Sequence, residues 1–406
     1  MLPTIQKIAD KLAPRLIEIR RHIHAHPELS GQEYKTAAYV SGVLSSCGFH
    51  VQEMVGKTGV VAELPGKDDP NGNVLAIRTD MDALPIAEKT NLPFASKSPG
   101  IMHACGHDAH TTVGLGTAMI LAELAQTHDT PFPSTTRFLF QPAEETAQGA
   151  RWMIEDGVMK DVAAIFGVHT FPSIPAGVIG LRQGPLTAAA DDLEITISGE
   201  SGHGARPHEA VDAIWIAAQV ITQLQQAISR TINPLHPAVI TIGKISGGRA
   251  SNVIADQVTL TGTVRSLHAD THAMLPQWIE GIATDICQLH GATCKVTYTR
   301  RCASVLNDID LTNLVAGCAT EAFGRDRIQW IADASMGAED FANYTDIAPG
   351  TMFRLGVGFS NRSINHPLHH AQFEIDEDAL LTGVVTMAYS ASKYWQKVAS
   401  ETAKSL

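Results

Sequence analysis

The sequence predicts an α/β protein: a mostly parallel-sheet domain into which a smaller, ferredoxin-like α+β domain is inserted. Four short apolar runs, "NVLAIRTDMD", "TTRFLFQPAEE", "AAIFGVHT" and "TMFRLGVG", are nearly continuous, as strands buried on both faces are. Helical patterns such as "HTTVGLGTAMILAELAQ" and "LTNLVAGCATEAFG" separate them. From about Asp191 to Arg300 the pattern changes to alternating strands in the order β-α-β-β-α-β. A chain of 406 residues, 44% of them hydrophobic, exceeds one ordinary core and agrees with two domains.

Taken in order, the N-terminal "MLPTIQKIADKLAPRLIEIRRHIHAHPEL" is charged throughout and lacks an unbroken apolar core. It predicts an amphipathic helix, not a signal peptide. In the insertion, "DLEITISG" alternates and places Leu193, Ile195 and Ile197 on one face. "AVDAIWIAAQVITQLQQAI" has helical periodicity, and "AVITIGKI" and "NVIADQVTLTGTVRS" form two consecutive strands. "AMLPQWIEGIATDICQLHG" is a helix ending at Gly291, and "CKVTYTR" is the last strand. The expected domains are 1–186 with 302–406, and the inserted 187–301.

Composition narrows the function. A formal net charge of −12 without any Lys/Arg run argues against nucleic acid, and no basic amphipathic helix offers membrane binding. No apolar run approaches the length of a membrane span. The six cysteines (Cys47, Cys105, Cys287, Cys294, Cys302 and Cys318) contain no C-x-x-C pair and do not make a disulfide framework. A reducing cytoplasm is the expected location.

The polar residues fall at one place in this layout. Asp80 and Asp82 follow the first apolar run, Glu144 and Glu145 the second, and His169 the third. In an open α/β sheet, ligands bind beyond the carboxyl ends of the strands. "MHACGHDAH" arrives there by a loop just before a helix. Cysteine and histidine are preferred ligands of zinc and similar divalent ions, and carboxylates join them in catalytic sites. Cys105 and His107, two apart, would point the same way in an extended segment. A lone buried cysteine is more often a small core hydrophobe. A double glutamate after an apolar strand is different, because paired like charges resist burial without a cation. His103 and His110 are expected only to support ligands by hydrogen bonds. Near the C-terminus His366, His369 and His370 offer a further ligand, and residue chemistry does not choose among them.

At this point a resemblance is visible. The chain resembles the M20 metallopeptidase family, in the amidohydrolase branch of hippurate hydrolases, N-acyl-amino-acid amidohydrolases and plant hydrolases of indole-acetyl amino acids. It is carried by "RRHIHAHPELS", "RTDMDALPI", "PGIMHACGHDAHT", "QPAEE", "GVHT", "SGHGARPHEAVDA", "NVIADQVTLTGTVRS", "MGAEDF" and "LHHAQFEIDEDAL", in that order and over nearly the whole chain. The resemblance implies that Cys105, His107, Glu145, His169 and His369 hold two divalent metal ions. It implies that Glu144 is the general base and that Asp82 supports the centre's geometry. In family dimers His203 reaches the partner subunit's active site, so a homodimer through the inserted domain is expected. Asn252 and Arg265 match substrate-contacting positions. The chain departs from the family's frequent "LHSP" or "LHTP" at Leu368-His369-His370-Ala371; the first histidine aligns, which selects His369. Ser201 stands where glycine is common.

The expected enzyme is a cytoplasmic amidohydrolase that splits an N-acyl-L-amino acid into a carboxylic acid and a free amino acid. The alternatives are a dipeptidase or carboxypeptidase, a deacetylase of an N-acetylated biosynthetic intermediate, or a metal-binding protein without catalysis. The last would not require the Glu144–Glu145 pair. A thiolate ligand favours zinc, with manganese, cobalt and nickel also compatible. Arg265 can hold a substrate α-carboxylate in a bidentate fork. Crossings near 187 and 301 would let the inserted domain hinge as a lid.

Overall fold

A computed structural model describes residues 1–66, 73–127 and 132–405. The chain divides into two compact units, one of Met1–Gly184, Leu306–Asp333 and Asp340–Leu406, the other of Pro185–Val305 and Ala334–Glu339.

The first half of the chain supplies α1 (Leu2–Ala25), α2 (Tyr34–Ser46), β1 (His50–Val55), β2 (Gly59–Leu64), β3 (Val74–Asp80), α3 (His107–Thr127), β4 (Thr136–Gln141), α4 (Gly149–Glu155), β5 (Val162–Pro175) and β6 (Ile179–Leu181). The middle supplies β7 (Ala189–Ser198), α5 (Ala213–Thr231), β8 (Ala238–Gly247), β9 (Gln257–Ser266), α6 (Ala269–Leu289) and β10 (Thr293–Cys302). The last part supplies α7 (Ile309–Phe323), β11 (Ile328–Trp330), β12 (Gly350–Gly358) and α8 (Ala379–Ser405).

Among the described residues the first unit holds an eight-stranded sheet in the order β1-β2-β4-β3-β5-β12-β6-β11. Its centre, β4-β3-β5-β12, is parallel, and it is built from the four apolar runs. Every residue of β3 and β12 is buried, which is why those runs show no alternation. Helix α1 buries Ile5, Ile8, Leu16, Ile19 and Ile23, spaced for one helical face, in the same core as residues of α3, α7 and α8. The indole N–H of Trp395 on α8 donates to Thr136 Oγ1 at 2.9 Å and ties that helix to β4.

Parallel register brings the functional ends level. Asp80 pairs with Gln141, Arg78 with Gly167, and His169 with Arg354. Arg78 is a charged residue inside an apolar strand, so burial obliges it to be paired. Its guanidinium donates to Gln141 Oε1 at 2.8 Å, to Asp80 Oδ2 at 2.8 Å and to Asp340 Oδ1 at 2.9 Å. Asp340 also accepts the Ala150 N–H at 3.0 Å. Asp340→Ala is expected to destabilise the protein by about 1–3 kcal/mol, since Arg78 keeps Asp80 and Gln141 but the buried Arg78 and Ala150 donors lose this acceptor. A denaturant midpoint within error of the parent protein would contradict this.

The second unit has a four-stranded, fully antiparallel sheet in the order β8-β9-β7-β10. Leu193, Ile195 and Ile197 are buried on one face with Val220 and Leu224 of α5 and Leu275 and Ile279 of α6. Asp212 caps α5, its carboxylate accepting the N–H groups of Ile214 and Trp215. Helix α6 stops at Leu289, and Gly291 beyond it has a φ of +78° that favours glycine. Ala334–Glu339, expected in the larger domain, joins this unit instead. The Ala188 N–H donates to the Gly337 carbonyl and the Ser335 N–H to the Leu186 carbonyl, both at 3.0 Å. Backbone hydrogen bonds of this kind leave no side-chain pattern in the sequence. No helix among the described residues is long and apolar enough to cross a membrane.

Candidate metal centre

The first unit gathers Asp82, Cys105, His107, Glu144, Glu145, His169 and His369 in one place. Ligand atoms of Cys105, His107 and His169 lie within 4.8 Å of one another, as do those of Cys105, Glu145 and His369, and those of His107, Glu144 and Glu145. Cys105 belongs to two of these groups and Glu145 to two.

Each donor is aimed by a specific partner. The Asp82 carboxylate accepts the Glu144 N–H at 3.1 Å, the Glu145 N–H at 3.0 Å and the Ser30 hydroxyl at 2.6 Å. His107 Nδ1 faces the Asp82 carbonyl at 2.9 Å and its Oδ1 at 3.2 Å. Both are acceptors, so Nδ1 carries the proton and Nε2 is the atom presented to a ligand. His169 Nδ1 likewise donates to the Thr170 carbonyl at 2.8 Å, leaving Nε2 3.7 Å from the Cys105 sulfur. The backbone N–H of His369 donates to the Ala104 carbonyl at 2.8 Å, and its Nε2 stands 3.5 Å from Glu145 Oε1. His370 instead stacks on His366, with ring centroids 4.3 Å apart.

Two expectations about the backbone need correction. His169 is not beyond a strand end, since β5 continues through it to Pro175. Cys105 and His107 do not converge through an extended backbone. Gly106 between them has a φ of +84° and turns the chain directly into α3. A Cβ at Gly106 would also lie 2.3 Å from Thr170 Oγ1. Gly106→Ala is therefore expected to weaken divalent-ion binding by at least about tenfold, as loss of ligand support does. Titrating metal-free enzyme with Mn²⁺ measures it, and unchanged affinity would refute the requirement for glycine.

The donor set fits divalent ions. His107 Nε2 and Glu145 Oε1 are buried without a hydrogen-bond partner. Burial pushes the Glu145 carboxyl up to about 7, opposed by His107 and reinforced by the Asp82 charge. Burial drives the Cys105 thiol well above its ordinary value, and Glu145 adds to that. Burial alone would lower His107, yet the Asp80 carboxylate, Cys105 and the Asp82 hydrogen bond together hold it well above the usual imidazole range. A cation displaces these protons and stabilises the thiolate, imidazole and carboxylate forms that ligate.

Residues 76–393 match peptidase family M20/M25/M40. The chain belongs to that family. It is 41% identical to an N-acetylcysteine deacetylase of Bacillus subtilis over 97% of this chain and 98% of the relative. It is 43% identical to an N-acyl-L-amino acid amidohydrolase of Geobacillus stearothermophilus over 75% of this chain and 80% of the relative. Among solved structures it resembles a dinuclear metal-binding M20 peptidase of Bacillus subtilis, with a TM-score of 0.82 and 38% identity over 95% of this chain and 99% of that one. With a buried donor set that suits divalent ions, this M20 chain is a metal-dependent amidohydrolase.

The remaining predicted residues lie in the second unit. His203 is exposed, and Gly202–His203 pairs antiparallel with Val253–Ile254. Its Nδ1 accepts the Ala205 N–H at 3.0 Å, which puts the proton of a neutral ring on Nε2. The carbonyl of exposed Asn252 accepts the Gly204 N–H at 2.8 Å, so these two residues share one short ribbon. Arg265 is half-buried on β9 and donates to the Met336 carbonyl at 3.3 Å.

Residues around the centre that the sequence does not single out are Ser30, Arg78, Thr170 and Asp340. Only Arg78 carries a readable signal, a charge inside an apolar run. His110 does hydrogen-bond its surroundings, through Asp80 and Thr170. His103, expected to support a ligand by a hydrogen bond, does not: it is buried with neither ring nitrogen hydrogen-bonded, and burial lowers it to about 4.

Proposed function

We propose that this enzyme hydrolyses the amide bond of N-acyl-L-amino acids in the cytoplasm, releasing a carboxylic acid and a free amino acid. The observation that carries the reading is the pair of donor groups sharing Cys105, with Glu144 beside them. Cys105, His107, Glu145, His169 and His369 would hold two ions, zinc or manganese, with cobalt and nickel also compatible with the donors. When bound, such ions would polarise the substrate carbonyl and lower the pKa of a bound water towards about 7.

Glu144 takes the proton from the attacking water and passes it to the leaving amine. Asp82 keeps Glu144 and Glu145 in register through their backbone N–H groups and fixes the His107 tautomer. His203 would present Nε2–H to the developing oxyanion. Asn252 and Arg265 would contact the substrate, Arg265 gripping its α-carboxylate. Deacetylation is the same chemistry with a small acyl group, and the deacetylase relative supports including it.

The test is a panel of acetyl, benzoyl and indole-acetyl amino acids, with dipeptides as controls, assayed with each metal for released amino acid. Chelation is expected to abolish turnover and added metal to restore it. Turnover of dipeptides alone would replace the reading with a dipeptidase.

The second unit is further proposed to be an inserted ferredoxin-like lid and dimerisation domain, with His203 serving the partner subunit's site. Mixing His203→Ala and Glu144→Gln enzymes, each nearly inactive, should then restore part of the activity once subunits exchange. Proven mixed dimers without recovery would reject the shared site.

A further inference from the structure

Behind the ligands lies a buried chain of side chains that the reaction does not itself use. Asp80, His110 and Thr170 are all fully buried. Asp80 Oδ2 is held by Arg78, and its Oδ1 accepts from His110 Nδ1 at 2.6 Å. That fixes the proton of the ring on Nδ1, and His110 Nε2 accepts the Thr170 backbone N–H at 2.7 Å. Thr170 Oγ1 lies 3.1 Å from the same nitrogen and donates to the Cys105 carbonyl at 3.1 Å. Thr170 thus follows His169 directly in the chain and also grips the backbone of Cys105. Gly106, beside Cys105, leaves the space that the Thr170 side chain fills.

We infer that Asp80, His110 and Thr170 form a clamp that sets the distance between His169 and Cys105, with Thr170 as the positioning residue that links them. Asp80 and His110 lie within ligand distance of His107, yet both oxygens of Asp80 and both nitrogens of His110 are already engaged. They act as support and not as a further ion site. The specific bond is the Thr170 hydroxyl to the Cys105 carbonyl. It joins the two ligand-bearing segments at a point 65 residues apart in sequence. Without it, the Cys105 loop and β5 are free to drift relative to each other, and a donor pair loses affinity quickly when its spacing relaxes.

This inference rests on the metal-centre reading, and cobalt separates the two. Co²⁺ added to the metal-free parent enzyme should give a thiolate-to-cobalt charge-transfer band, because Cys105 is a ligand. Thr170→Val keeps the shape and removes only the hydroxyl. It is expected to bind Co²⁺ and Mn²⁺ about 10–100-fold more weakly and to shift or weaken the band. Thr170→Ser, which keeps the hydroxyl, should restore both to within about threefold of the parent, a result that general destabilisation would not produce. A parent band that Thr170→Val leaves unchanged, with unchanged affinity, would overturn the clamp alone. Absence of the band in the parent enzyme would overturn the thiolate centre and the clamp with it. A binding stoichiometry that falls by one ion in His110→Asn, with the band intact, would make His110 a ligand and overturn its role as support.

Discussion

Glu144→Gln should lower kcat by about 10²–10⁴-fold, the usual contribution of a positioned proton-transfer group, while metal content stays at the parent level. Glutamine preserves the shape and the backbone N–H bond to Asp82 at 3.1 Å, so the turn carrying Glu145 should not move. It removes only the capacity to take and return a proton. Glu144 Oε2 sits 3.8 Å from His107 Nε2, but Glu144 is not grouped with Cys105, His169 or His369. Glu145→Ala should behave oppositely and lose metal together with activity, since Glu145 is grouped with Cys105 and His369 as well as with His107. Steady-state kinetics and metal analysis on the same samples separate the two glutamates. A Glu144→Gln enzyme with near-parental kcat and bound metal would eliminate Glu144 as the base.

Cys105→Ala should be the more damaging change to the centre itself. The sulfur is common to two donor groups, so one substitution should weaken both ion positions by more than about 100-fold, beyond what loss of a supporting bond costs. The competing chemistry is a Cys–His hydrolase in which Cys105 attacks the substrate. Burial and the Glu145 charge both oppose the thiolate, the reverse of the setting that activates a cysteine nucleophile. Intact-mass spectra during turnover should show no acyl adduct, and an adduct mapped to Cys105 would decide for the nucleophile.

Much of this was legible because burial leaves marks. Strands covered on both faces read as continuous apolar runs, and the Glu144–Glu145 pair at the end of one of them demanded a cation. The alternation of Leu193, Ile195 and Ile197 likewise marked the one-sided sheet of the second unit. What was not legible depends on contacts between distant segments. Arg78 meets Asp340 across 262 residues, and nothing local to either names the other. His369 stands beside Glu145 while His370 stacks on His366, and the φ of +64° and the hydrogen bond to Ala104 that go with this placement are backbone properties with no mark in the sequence. Cys105 and His107 were paired correctly in space for the wrong reason, because the glycine between them turns the chain instead of extending it. Thr170 is an ordinary β-branched strand residue until its hydroxyl is seen on the Cys105 carbonyl.

The strand order of the large sheet also dictates a timetable on the ribosome. β12 lies between β5 and β6, yet Gly350 emerges 175 residues after Pro175. At about 5–20 residues per second, β5 and β6 wait roughly 10–35 s for the strand that joins them. During that interval β5 presents an unpaired apolar edge, His369 has not been made, and no nascent chain can complete the centre. Meanwhile all the strands of the second unit's sheet have been translated, together with both of its helices. The segment from Gly350 to His369 therefore closes the sheet and brings His369 to the cluster within a few seconds of each other. A chain halted before Gly350 should be a substrate for chaperones and proteases, not a weak enzyme.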